Sequence, residues 1–72
     1  MTDNYDGIYS FNSLNNTISG NNITGNSNDG IDLESSSQNT INENNVMGNQ
    51  YGIYLSNSIA NVNFNRIVGN IS

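Results

Sequence analysis

The chain contains no cysteine, no histidine and a single cation, Arg66. The first absence excludes a disulfide staple and any cysteine-based zinc site. The second removes the commonest metal ligand and general base. The third constrains partners: six carboxylates against one cation give a formal net charge of −5. A nucleic-acid partner needs several Lys or Arg to displace counterions from its phosphates, and an anionic membrane surface makes the same demand. Neither is expected. No aliphatic run exceeds two residues, as at Val46-Met47, Ile59-Ala60 and Ile67-Val68. Nothing here approaches the roughly 20 apolar residues of a spanning helix, so membrane insertion is not expected. No basic segment followed by an apolar one comes after Met1, so these residues show no secretory signal. With 72 residues the chain is one domain at most, and a core of that size is thin.

What the chain has in abundance is asparagine, 18 of 72 residues. Such a composition invites a disordered or prion-like reading. Against it stands the spacing of the aliphatic residues, which is periodic. A Gly-Ile pair recurs at Gly7-Ile8, Gly30-Ile31 and Gly52-Ile53, and a Gly-Asn pair at Gly25-Asn26, Gly48-Asn49 and Gly69-Asn70. Three copies of one unit follow, at about 4–27, 28–50 and 51–72. Self-similarity at a fixed period of this length is the mark of a solenoid.

Within each copy, apolar residues alternate as strands require and fail the helical spacing. Ile8, Ile31 and Ile53 point inward with Ser10, Leu33 and Leu55. Tyr9, Asp32 and Tyr54 point outward. A polar corner follows at Asn12-Ser13, Ser35-Ser36 and Asn57-Ser58, then a column of mixed size, Leu14, Ser37 and Ile59. Ile18, Ile41 and Val62 form a second inward column, and Ile23, Val46 and Ile67 a third. The expected architecture is all-β: a right-handed parallel β-helix (β-solenoid) of three coils of 22–23 residues, with little or no helix. The third copy is one residue short. Placing the gap opposite Thr17 and Thr40 sets Asn61 beside Val62; placing it between Ser56 and Ala60 serves almost as well.

The asparagines then acquire a role. Asn16, Asn39 and Asn61 are expected at one height on successive coils, as are Asn21, Asn44 and Asn65, and Asn26, Asn49 and Asn70. Stacked primary amides hydrogen-bond from rung to rung, and asparagine tolerates the left-handed backbone of sharp corners.

The run GIDL at 30–33, NTI at 39–41 and VMGN at 46–49 resembles the right-handed parallel β-helix repeat of pectate-lyase-like proteins, and most of all the NosD-type and archaeal surface-protein repeats. The resemblance covers nearly the whole chain. It implies the fold; for function it implies a range from lyases and hydrolases to adhesins and accessory proteins. A copper role like that of the accessory proteins fails for want of His or Cys.

Candidate chemistry is sparse. Hydrolases of the resembling class use clustered Asp, and here Asp6, Asp29, Asp32 and Glu34 make a small acidic group. Every loop is minimal, however, and Arg66 lies on a different corner, so no catalytic residues are assigned and no enzyme is expected. The same Asp6, Asp29 and Asp32 are a candidate oxygen set for Ca²⁺; a solvated acidic face is the reading adopted, with no metal and no cofactor. Tyr5, Tyr9, Tyr51 and Tyr54 offer rings for a sugar or a partner chain, although covering the sheet accounts for them as well. Glycosylation sequons at Asn15, Asn22 and Asn70 carry no weight in so Asn-rich a chain. Thr17 and Thr40 align but lack a third member for an ice-binding array.

Neither end carries an amphipathic helix or a charged outer coil, and an uncapped solenoid end is a template for another chain. The expected function is therefore structural and non-enzymatic: end-to-end stacking of the chain with itself into a filament or fibril. The second expectation is a carbohydrate- or surface-binding piece of a longer β-helix. An extracellular or cell-surface location suits both.

Overall fold

The computed structural model of the chain describes residues 1–70. Nine short strands follow one another: β1 (Ile8–Phe11), β2 (Thr17–Ser19), β3 (Asn22–Thr24), β4 (Asp29–Glu34), β5 (Ser37–Asn42), β6 (Asn45–Met47), β7 (Tyr51–Ser56), β8 (Ile59–Asn63) and β9 (Arg66–Val68). They assort by threes into parallel sheets, β1-β4-β7, β2-β5-β8 and β3-β6-β9. Every third strand thus lands on the same side of a triangular coil. The described residues contain no helix.

Register follows the aliphatic columns. Ile8 lies opposite Ile31 and Ile31 opposite Ile53; Ile18, Ile41 and Val62 stack in the second sheet; Ile23, Val46 and Ile67 stack in the third. Only the middle coil has neighbours on both sides, so the core is concentrated there. Ile31, Leu33, Ile41 and Val46 are fully buried, joined by Ile18 and Ile23 of the first coil, while Ile8, Ile53 and Ala60 pack at the margin. Burying each such aliphatic side chain stabilises the fold by about 1.5–3 kcal/mol. The inward columns expected through all three coils do not close on the third. Leu55, Val62 and Ile67 are 41, 40 and 46% exposed, because no coil among the described residues covers them.

The corners are made by left-handed residues in matching columns. Asn12, Ser35 and Asn57 have φ of 51, 50 and 49°, and Gly20, Glu43 and Phe64 have 69, 57 and 57°. The closing glycines Gly25, Gly48 and Gly69 lie at 66–71°. A further column, Asn15 and Gln38 at 59 and 58°, has no member in the third coil. That is where the missing residue falls. Ser37 pairs with Ile59 and Asn39 with Ala60, while Gln38 has no partner. The opening glycines serve packing. A Cβ on Gly30 would lie 2.6 Å from the Gly52 carbonyl oxygen and 2.7 Å from Val46 Cγ1.

This register corrects the first asparagine column. Asn61 lies opposite Thr40 and does not continue Asn16 and Asn39. Dropping a corner residue shortens the coil without shifting Val62 from beneath Ile41, so the core loses nothing and the ladder loses a rung.

A second departure concerns Met1–Asp3, a patternless lead-in ahead of the first copy in the sequence, together with Asn4. They form a short extra rung on the third sheet. Thr24 N–H donates to the Met1 carbonyl at 2.9 Å and Asp3 N–H to the Gly25 carbonyl at 3.4 Å. Asn4 N–H donates to Asn26 Oδ1 at 3.2 Å. Asp3 takes φ 61°, matching Gly25 at 66°, so Thr2-Asp3-Asn4 repeats the backbone of Thr24-Gly25-Asn26.

Candidate functional site

Two polar constellations stand out, the corner ladders and the acidic group on the first sheet. In the ladder at Asn21, Asn44 and Asn65, the backbone N–H of each coil donates to the side-chain oxygen of the next, 3.0 Å from Asn21 to Asn44 and 2.9 Å from Asn44 to Asn65. Asn44 Nδ2 spends its two hydrogens on Ile18 O, one coil back, and Asn65 Oδ1, one coil on. Asn26, Asn49 and Asn70 repeat the pattern at 2.9 Å per backbone step. Asn26, Asn44 and Asn49 are almost wholly buried, and a buried amide is tolerated because its hydrogen-bonding groups are satisfied.

A third ladder was legible only as a polar corner. Ser13 N–H donates to Ser36 Oγ at 3.1 Å and Ser36 N–H to Ser58 Oγ at 3.0 Å. Its signal in the sequence is the repetition of serine at one register. The Asn16–Asn39 pair starts a fourth, with Asn16 N–H to Asn39 Oδ1 at 2.9 Å, but Asn39 Nδ2 is buried without a partner. Ala60, its neighbour below, has no acceptor side chain.

The acidic group is where the sheet departs furthest from expectation. Asp6, Asp29 and Asp32 come together, one carboxylate oxygen from each lying within 4.8 Å of the others. They are not a solvated face. Asp29 and Asp32 are only 3 and 5% exposed. Tyr51 lies opposite Asp29 and Tyr54 opposite Asp32 on the next coil, their rings edge-to-face with centroids 5.8 Å apart. Tyr9 flanks Asp32 on the other side. Gly30 and Ile31 both turn inward, so Asp29 and Asp32 share the outer side. Asn28, Asp29, Asp32, Glu34, Tyr51 and Tyr54 line a shallow pocket of about 300 Å³.

Electrostatically this group is strained. Asp6 Oδ1 accepts from Asp29 N–H at 3.1 Å and from Asn28 Nδ2 at 3.2 Å. Asp29 Oδ1 and Asp32 Oδ1 accept nothing. Burial, then contact with and charge from Glu34, then the Asp29 charge push the Asp32 carboxyl up to about 7. Burial also raises Asp29, helped by the Asp6 and Glu34 charges and opposed by Asp32 as a hydrogen-bond partner. Desolvation, then Glu34, Asp32 and Asp6, raises the Tyr9 hydroxyl. Arg66 gives no relief here. Its Nη1 donates to Asn45 Oδ1 and Met47 Sδ on the third sheet.

The whole chain, residues 1–72, matches the family model described as right handed beta helix region, and the protein belongs to that family. The family includes enzymes, pectate lyase among them, and non-enzymes. No curated protein and no solved structure matches the chain.

Proposed function

We propose that the chain is a non-enzymatic structural unit that stacks head to tail with further copies of itself. One observation carries this reading. Leu55, Val62 and Ile67 of the last coil are exposed, and they continue columns whose middle-coil members, Leu33, Ile41 and Val46, are fully buried. A further β-helical coil is the natural cover for such a face. The first coil of a second copy supplies Ile18 for Val62 and Ile23 for Ile67, with Ser10 falling opposite Leu55. It also supplies Ser13 Oγ and Asn21 Oδ1 for the backbone N–H groups of Ser58 and Asn65, which find no acceptor among the described residues. On the third side, Ile67–Asn70 of one copy takes the place held by Met1–Asn4 in the next. Contacts of this heterologous kind that do not close into a ring build filaments.

The non-enzymatic part of the reading rests on the shape of the acidic site. Its pocket is shallow, its corners are short, and no cation stands near its carboxylates to serve as a base or an electrophile. The test is negative-stain electron microscopy of the chain at micromolar concentration. Filaments with an axial repeat near ~14 Å, about three rungs of 4.8 Å, are expected. A folded monomer that does not exchange in sedimentation would reject the proposal.

A second reading, carbohydrate binding by a piece of a longer β-helix, has its own support. Asn21, Asn22, Asn44, Asn45, Phe64 and Arg66 border an open groove of about 850 Å³ between the second and third sheets. Amide and guanidinium donors beside an aromatic ring suit sugar hydroxyls and ring faces. Retention on a glycan array by monomeric chain, with loss on Phe64→Ala, separates this from stacking.

A further inference from the structure

The acidic group on the first sheet has two properties that a solvated cluster lacks. Two of its carboxylates, Asp29 and Asp32, are buried, and one oxygen of each lacks a hydrogen-bond donor. Asp29 Oδ1 and Asp32 Oδ1 belong to side chains more than nine-tenths buried. Burying a charged carboxylate is costly unless it is protonated, paired or bound to a metal. No guanidinium or ammonium pairs with these, since Arg66 is engaged with Asn45 and Met47 and the Met1 amine with the Asn22 carbonyl.

We infer that Asp6, Asp29 and Asp32 form a binding site for a hard divalent cation such as calcium. The three carboxylate oxygens lie within 4.8 Å of one another, close enough to share one hard cation, which takes oxygen ligands. The donor set is all oxygen, which disfavours zinc and copper. The ion's remaining coordination positions would open onto the pocket that Tyr51 and Tyr54 line. Asp6 comes from the first coil and Asp29 and Asp32 from the second, so the ion would tie two successive coils at the point where the chain enters the first sheet. This inference stands apart from the stacking proposal, because all three ligands belong to one copy.

Calcium itself is the probe. The full chain, freed of divalent ions with a chelator, is titrated by calorimetry and its melting followed by circular dichroism. Saturable binding of one ion per chain is expected, with a rise in melting temperature. Asp32→Asn removes a ligand and also the repulsion. It is expected to melt above the metal-free native chain, to fall below the calcium-loaded one and to lose the calcium response. Asp6→Asn, at a half-buried position that tolerates change, is expected to weaken binding at least about tenfold with an unchanged β spectrum. Absence of saturable binding at millimolar calcium, or undiminished binding by both variants, would overturn the inference.

Discussion

Asn39 lies opposite Ala60, and its side-chain Nδ2 is buried with nothing to donate to. In the neighbouring ladders the same atom reaches the Oδ1 of an asparagine on the next coil, as Asn44 reaches Asn65 at 3.0 Å. Ala60→Asn restores that acceptor at the matching height. Satisfying an orphaned buried amide is expected to raise the unfolding free energy by about 1 kcal/mol, read as a higher denaturant midpoint at constant slope. An unchanged or lower midpoint would show that Asn39 is satisfied in some other way.

Glu43 occupies a left-handed corner at φ 57° in the column that Gly20 opens at 69°. A side chain in that region costs about 1–2 kcal/mol, and glycine gives back about 0.5–1 kcal/mol through the unfolded chain's entropy. Glu43→Gly is therefore expected to stabilise by about 0.5–1 kcal/mol. The comparison is thermal unfolding of the two proteins at equal salt, since the variant also removes a charge.

Stability is expected to fall as pH rises in the absence of divalent ions. The Asp32 carboxyl titrates at 3.8 when unperturbed and at about 7 in the folded chain, so between those values the native state holds a proton that the unfolded state has released. Unfolding is then favoured progressively from about pH 4 to about pH 7. Asp29, also raised, acts in the same direction. The groups facing Asp32 are Asp29, Asp6, Glu34, Tyr9 and Tyr54, none of them cationic. Asp32→Asn is expected to flatten the profile over this window; an equally steep profile in the variant would assign the effect elsewhere.

Met1–Asn4 occupy the third-sheet position that an incoming Ile67–Asn70 would need. Removing residues 1–3 is expected to shorten the lag of assembly and lower the concentration at which filaments form, followed by light scattering and microscopy. A slower or unchanged onset would mean that this rung does not compete with stacking.

The sequence disclosed the coil, its three sheets and most of its inward columns, because identical spacings of Ile, Leu and Val leave one way to stack. It did not disclose the position of the missing residue. Both alignments keep Val62 beneath Ile41, so the core is indifferent, and only the backbone at Asn15 and Gln38 decides. Left-handed corners at Ser35, Gln38, Glu43 and Phe64 are not legible in the sequence because those residue types do not favour that conformation. The rung at Met1–Asn4 was masked by Asp3 standing where the other copies have glycine. Burial of Asp29 and Asp32 was illegible for a different reason. It depends on the tyrosines of an adjacent coil and on the inward turn at Gly30, which strict alternation along one strand does not describe.

The corner ladders run one way. Every backbone N–H in them points along the chain's advance toward the side-chain oxygen of the following coil, from Ser13 to Ser36 to Ser58 and from Asn21 to Asn44 to Asn65. A column assembled on this plan has polarity. One terminus displays donors and the other acceptors, so the two ends must differ in growth rate and in what can plug them. A molecule that mimics the serine and asparagine side chains of a first coil would silence one terminus and leave its opposite free to elongate.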